Sequence, residues 1–288
     1  MTVNAYWYHK TVSRLREFFV GRGFLEIHPH PRQSFLAVAD DVSTIMTYSD
    51  GEQSYLLPQT AYMWTEFELL KNPDLKGVFC CSTSYRQHQN PIPGRHENVF
   101  PMFDFEMQGG LDSIIKLEKE LLAHFGFDKN EFVDVNYQDA LDDYGVYEVD
   151  SATEMRMGND KSNSIFLKYK PESVLPYWGV KRENKDVART ADLLLFGMGT
   201  IGSSERSCDV DRMRTRFYEI DGGSYAKTLF NTFGQERVER ELGEYLSLEM
   251  FPRSVASIGI SRFVRALRML ESKQREQRLQ EDDFRAVS

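Results

Sequence analysis

The chain is poor in cysteine: Cys80, Cys81 and Cys208 are all it has in 288 residues. An adjacent pair and one distant thiol make neither a disulfide framework nor zinc-ligand spacing, so three reduced thiols are expected, two of them along a buried strand. No apolar run approaches the roughly 20 residues that a membrane helix needs. The first residues, with His9 and Lys10 among scattered polar groups, carry no signal-peptide core. A cytoplasmic location without a membrane partner is the resulting expectation. A surplus of positive charge is missing too: at a net charge of −9 a broad nucleic-acid-binding surface is disfavoured, although a local basic patch would survive. Repeats, low-complexity tracts and a clear linker are also absent, and the length permits one large α/β domain as readily as two small ones.

What is present is concentrated in one stretch. Gly77-Val78-Phe79-Cys80-Cys81-Ser82-Thr83 is apolar and β-prone, and Phe100 to Glu106 alternates aromatic and acidic residues, so both read as strands. Between them, Ser84-Tyr85-Arg86-Gln87-His88 and Gly94-Arg95-His96-Glu97-Asn98 form a loop rich in cations. As a hairpin it would aim Arg86, Arg95 and His96 at one point, which suits a polyphosphate because guanidinium groups match phosphate oxygens bidentately and stay charged. Phe100 offers an aromatic face to a flat base. The other reading of the same residues is a surface hairpin with ordinary solvated charges.

Around this hairpin, Val12, Leu15, Phe18 and Phe19 recur at helical spacing and stop at Gly21 and Gly23. Gly23 to Pro31 starts as a strand that its prolines push to an edge. Tyr55 to Gln59 reads as a strand before a helix over Tyr62–Leu70, and Asp112 as the cap of a helix that buries Ile114, Leu117, Leu121, Leu122 and Phe125 and ends at Gly126. The segment 126–185 reads as an insertion or lid containing a strand over Ser164–Tyr169. Ala191–Phe196 reads as a buried strand, Gln235–Leu248 and Val264–Leu270 as helices, and the polar tail 271–288 is expected to fray.

Taken in order, these landmarks resemble the catalytic domain of class II aminoacyl-tRNA synthetases, nearest the aspartyl, asparaginyl and lysyl group and the standalone asparagine synthetases related to them. Gly23 to Pro31 is similar to the first motif of that family, Ser84 to Glu106 to the second, and Ile258-Gly259-Ile260-Ser261-Arg262-Phe263-Val264 to the third. Asp192 and Ser203-Ser204-Glu205-Arg206 fall between the second and third. The resemblance implies a single α+β domain over 1–288, a central mainly antiparallel sheet flanked by helices in the fold shared with biotin ligases, and a homodimer through Phe24–Pro31.

The resemblance also implies roles. Arg86 would contact the α-phosphate of ATP and the carboxylate of the activated amino acid. Arg95 and His96 would hold the outer phosphates, Phe100 would stack on adenine, and Arg262, beside Gly259, would cover the other adenine face and the γ-phosphate. Arg206 would read the substrate side chain. Asp40 or Asp41, Gln59, Asp104 and Ser203 would surround its ammonium and α-carboxylate, and Asp192 or Glu205 would touch magnesium. Such a site works by positioning and electrostatic stabilisation, because attack on the α-phosphorus builds negative charge and expels pyrophosphate.

The chain departs from the pattern at several places. No glutamate stands in Gly197-Met198-Gly199-Thr200, where the family usually holds magnesium, and His88 replaces an acidic residue at the adenine contact. Thr65 stands where aspartate-specific members have lysine. Pro252-Arg253-Ser254-Val255-Ala256-Ser257 replaces a glycine-rich approach, with Arg253 as a candidate replacement cation for the substrate. The length leaves no room for an anticodon-binding barrel. The expected function is therefore ATP-dependent activation of aspartate or a similar polar amino acid through an aminoacyl-adenylate, with transfer to ammonia or another small amine. A tRNA ligase and a non-catalytic nucleotide- or amino-acid-binding paralogue are the alternatives.

Overall fold

The computed structural model describes residues 3–29, 33–37, 40–88, 97–173 and 177–287, with side chains to residue 280. Its strands are β1 (Leu25–Glu26), β2 (Met46–Asp50), β3 (Gln53–Leu57), β4 (Gly77–Tyr85), β5 (Val99–Gln108), β6 (Phe132–Asn136), β7 (Ser164–Lys168), β8 (Thr190–Leu195), β9 (Met198–Glu205) and β10 (Arg253–Gly259). Its helices are α1 (Ala5–Val20), α2 (Tyr62–Lys71), α3 (Leu111–His124), α4 (Tyr137–Tyr144), α5 (Ser151–Asp160), α6 (Val210–Glu219), α7 (Ser224–Phe233), α8 (Gln235–Leu246) and α9 (Ile260–Val287). Eight strands form one sheet in the order β1-β4-β5-β10-β9-β8-β7-β6. Only the outermost pairs, β1 with β4 and β6 with β7, run parallel. The expected α+β fold, mainly antiparallel and flanked by helices, is present.

Strand alternation gives the sheet two chemically different faces. Phe79, Phe103, Phe105, Ala256, Ile258, Ile201, Leu193, Leu195 and Phe166 point to one side and meet α1, α3 and α9 in a single apolar cluster. Phe19 of α1 sits at its centre, with ring centroids 4.7 Å from Phe105 and 5.2 Å from Phe103. Each such buried ring contributes about 1.5–3 kcal/mol. Residues of opposite parity on the central strands, among them Asp104, Glu106, Ser257 and Asp192, point to the other face. A second apolar cluster, built largely by α6, α7 and α8 with Trp178 and Tyr62, walls that side.

Four expectations change. Of the strand expected over Gly23–Pro31, whose last two residues lie outside the described ones, the described part is strand only at Leu25–Glu26, and Phe24 turns inward, where a Cβ on Gly77 would meet its ring at 2.3 Å. Asp112 lies inside the first turn of α3, whose cap is Gly110. The segment 126–185 is not a separate insertion: β6 and β7 extend the main sheet, and α4 and α5 pack on it. The polar tail does not fray, because α9 is one 28-residue helix from Ile260 to Val287. Its early turns are buried through Phe263, Val264, Ala266, Leu267 and Leu270.

Candidate active site

The polar face is organised by register. Cys80 pairs with Asp104, Asp104 with Ser257, Ser257 with Gly202, and Gly202 with Asp192. One row across five strands therefore carries a carboxylate near each end with small residues between them, a trough in side-chain height over the middle of the sheet. Asp104 accepts hydrogen bonds from the hydroxyls of Ser82 and Ser257. Burial pushes its carboxyl up, and these hydroxyls and the nearby Arg86 guanidinium oppose that rise.

Arg86 leaves the end of β4, fixed by a backbone bond of 2.8 Å from its N–H to Asn98 O. The cationic hairpin is thus formed by β4 and β5, while Arg95 and His96 lie outside the described residues. Arg86 Nε is buried without a hydrogen-bond partner among the described residues. Asp40 approaches the same place: its Oδ2 accepts from Ala37 N at 3.1 Å, and its buried Oδ1 makes no hydrogen bond among the described residues. Burial pushes Asp40 up to about 7, against the lowering effect of Arg86. An acidic and a basic group, near enough to feel each other's charge, therefore each keep unused hydrogen-bonding capacity, as a zwitterionic ligand requires.

Gln59 differs from its expected role. It is buried, its Oε1 accepts from Asp41 N at 2.7 Å, and its Nε2 donates to Asp41 O at 2.8 Å and Thr44 Oγ1 at 3.1 Å. With its amide used in full, Gln59 holds the Asp40–Thr44 loop in place. Asp41 is likewise occupied, accepting from Ser43 N and Ser43 Oγ at 2.8 Å each.

Next to Arg86 on the same two strands, Phe100 pairs with Ser84, and further along Met102 pairs with Gly259, which puts both Phe100 and Gly259 on the polar face. Arg262, in the first turn of α9, donates from Nη1 to Gly199 O at 2.9 Å. His88, three residues past the end of β4, is half-buried. Asp192 is ion-paired with Lys170. Magnesium is commonly held by one or two carboxylates with phosphate oxygens completing its shell. Asp192, facing the trough, fits that pattern. Among the described residues no group of three or more His, Cys, Asp or Glu side chains could hold a metal ion.

Glu205 does not fit. It is buried, takes Lys181 Nζ and Arg189 Nε at 2.6 Å each, and accepts from Leu111 N at 2.9 Å. Burial alone would raise its pKa, but these partners lower it. It ties the start of α3 to β9 as a structural ion pair. Ser203 also faces away from the trough, donating to Glu118 Oε1 of α3 at 2.5 Å, so it is not placed to touch a substrate on the polar face.

Arg206 and Arg253 form a closed knot. Both are 0 % exposed. Arg206 Nε lies 2.9 and 3.0 Å from the two Glu66 oxygens, Arg253 Nε donates to Glu66 Oε1 at 2.9 Å, and Tyr245 Oη donates to the same oxygen at 2.6 Å. Burial would push Glu66 up, yet the two guanidinium groups bring it down to about 2. Glu106 alongside is pushed well up by burial and by the Glu66 charge, and accepts from Thr65 Oγ1 at 3.0 Å. Gly179 seals the knot, since a Cβ there would come within 2.6 Å of Arg206 Nη2. The expected substrate readers are therefore engaged with the protein's own carboxylate.

Sequence reasoning missed several members of the site. Tyr62 donates from Oη to Gly202 O at 3.0 Å, across the trough floor. Tyr177 lies close enough to Asp192, Arg86, Asp40 and Asp41 to feel the charge of each. No spacing signal marks Tyr177. Ser257 was findable as the cross-strand neighbour of Asp104 once the two strands were paired.

The sheet order, its two faces and the trough define a class II synthetase-type catalytic fold. The chain belongs to the family of class II tRNA synthetases for aspartate, lysine and asparagine (D, K and N), whose model matches residues 2–272. Among solved structures it is similar to asparaginyl-tRNA synthetase from Pyrococcus horikoshii complexed with asparaginyl-adenylate. That likeness has a TM-score of 0.74 at 18% identity, over 91% of this chain and 64% of that one. It is also similar to the Entamoeba histolytica asparaginyl enzyme in complex with asparaginyl-adenylate, with a TM-score of 0.71 at 17% identity over 91% and 62%. A putative aspartyl-tRNA synthetase from Leishmania major Friedlin gives 0.69 at 13% identity over 91% and 61%. The chain thus spans less than two thirds of the length of these structures. A search of curated proteins finds no match.

Proposed function

We propose that this chain activates an amino acid with ATP, forming an aminoacyl-adenylate and releasing pyrophosphate, and passes the acyl group to ammonia or another small amine. The observation that carries the reading is the pairing of Arg86 and Asp40 at one end of the trough. Each is half-buried and has one buried polar atom with no hydrogen bond among the described residues, in a fold whose relatives include structures with a bound aminoacyl-adenylate. A carboxylate oxygen of the amino acid attacks the α-phosphorus, and the bond from that phosphorus to the α,β-bridging oxygen breaks, releasing the β- and γ-phosphoryl groups as pyrophosphate. Arg86 neutralises charge at the α-phosphate, while Arg262 and Phe100 hold the nucleotide. Ionised Asp40 takes the substrate ammonium, with Asp104 behind it. Magnesium would travel with the triphosphate and meet Asp192.

Aspartate is less well supported as substrate than the residue pattern alone suggests, because Glu66 already occupies Arg206. Homodimerisation through the β1 edge, where Leu25 is 51% exposed, remains part of the proposal. A non-catalytic nucleotide-binding role is the second reading, favoured by the absence of a carboxylate in Gly197–Thr200. Pyrophosphate release with ATP, magnesium and each of the twenty amino acids in turn tests both. Stimulation by one amino acid, lost in Arg86→Ala, supports the enzyme. Absence of stimulation by any, with ATP still bound, supports the binder. Supplying ammonia, small amines or tRNA to the activated complex then identifies the acceptor.

A further inference from the structure

We infer that Glu154 of α5 supplies the carboxylate that β9 lacks at Gly199, and that it acts on the magnesium ion carried by the ATP phosphates. The inference rests on the nucleotide reading of the trough and assigns to it a residue from a different element.

Register establishes where the missing side chain would have been. Asp192 pairs with Gly202, and Leu194, two residues on and so on the same face, pairs with Gly199; the ladder shifts between Leu193 and Leu194. This bulge lets Gly199 and Gly202, three residues apart on β9, both face the trough. A Cβ on Gly199 would lie 3.4 Å from Glu154 Oε1 and 4.0 Å from Arg262 Nη1. The Glu154 carboxylate therefore ends where a side chain from β9 would begin, beside the arginine assigned to the phosphates.

The placement is built into the backbone. A Cβ on Gly158 of α5 would meet Gly197 N at 2.6 Å, and a Cβ on Gly197 would meet Met155 Cα at 2.7 Å. Glycine on both sides allows α5 to lie directly on the turn between β8 and β9, and Gly197 also takes a left-handed φ of +68° there. Asp150 caps the helix by accepting from Thr153 N at 2.8 Å, which fixes the first turn that carries Glu154. Lysine or arginine at this point would only add to the cations around a polyphosphate. A carboxylate suits a hard divalent ion bridging it to phosphate oxygens, with Asp192 as the second anionic group on the same face.

The test compares ATP affinity by calorimetry on the full chain, with magnesium and with EDTA. In the wild type magnesium should tighten ATP binding. In Glu154→Gln, an isosteric change whose folding is checked by thermal melting, that tightening should shrink by about tenfold or more, with affinity in EDTA unchanged. Gly199 has no left-handed φ, so Gly199→Glu in the Glu154→Gln background is compatible with the backbone and should restore the magnesium effect. Equal loss with and without magnesium would make Glu154 a brace for Arg262 and overturn the assignment, as would no loss at all. Failure of the wild type to bind ATP under either condition would instead remove the nucleotide reading, and the assignment with it.

Discussion

Two charged regions share the polar face of one sheet and differ in whether their guanidinium groups close directly on a carboxylate of the protein. In the knot around Glu66, two guanidinium groups and a tyrosine hydroxyl converge on one carboxylate that no solvent reaches, and Arg206 Nη1 and Nη2 are left without a hydrogen bond among the described residues. In the trough around Arg86 and Asp40, buried polar atoms stay unpaired. Burial of an unsatisfied polar group costs about 1–3 kcal/mol. The first region pairs its charges within the fold, and under the proposed function the second meets a ligand. Arg206 and Arg86 look equivalent in the sequence, and their partners alone separate the two roles.

Substitutions can sharpen this contrast. The largest effect should come from Glu66→Ala, which strands two buried guanidinium groups: a loss of about 3–5 kcal/mol of stability, read as a fall in the denaturant midpoint. Arg86→Ala should leave that midpoint nearly unchanged and lower pyrophosphate release by about 10²–10³-fold. If Arg86→Ala unfolds the protein while Glu66→Ala does not, the division into structural and ligand-directed regions is wrong.

A smaller effect should appear in the pH dependence. Asp40, raised to about 7, must be ionised to receive an ammonium group, so kcat/KM should rise about tenfold per pH unit below that value and level off above it. Asp40→Asn should abolish this acid limb, measured as amino-acid-dependent pyrophosphate release across pH 5.5–8.5. The smallest effect belongs to Glu118, on the far face of the sheet, whose carboxyl burial pushes up from 4.5 to about 8. The native state then holds a proton that the unfolded chain releases. The stability contributed by this group is full below pH 4.5 and is lost as pH rises through about 8. Glu118→Gln should flatten that decline and gain about 1–2 kcal/mol near pH 8, as read from denaturation midpoints at pH 5 and pH 8.

The fold was legible because it is written in periodicity. Alternation in Phe100–Glu106 and helical spacing in Val12–Phe19 are local signals, and the structure builds β5 and α1 on them. The extent of α9 was misread because composition reports solvation, and a highly charged segment can still be helical when it continues from a well-anchored beginning. The candidate site was legible only in part. Arg86 stands out at the end of an apolar strand, and Asp40 and Asp104 were marked by the family resemblance alone, but a sequence does not show that Glu66, on a helix 140 residues upstream, takes the guanidinium of Arg206. Such long-range pairing is set by how strands and helices stack. The bulge in β9 escaped for a similar reason, since one unpaired residue in a ladder leaves no mark in composition.

The length of α9 has a mechanical consequence. Arg262 sits in its first turn and Leu279, 56% exposed, lies 17 residues further along the same helix. At 1.5 Å per residue that is an arm of about 25 Å. A tilt of about 5° at the nucleotide end would swing the distal end by about 2 Å. A spin label or fluorophore on the outer turns would then work as a needle on a dial, registering occupancy of the trough from a distance at which the probe touches no part of it.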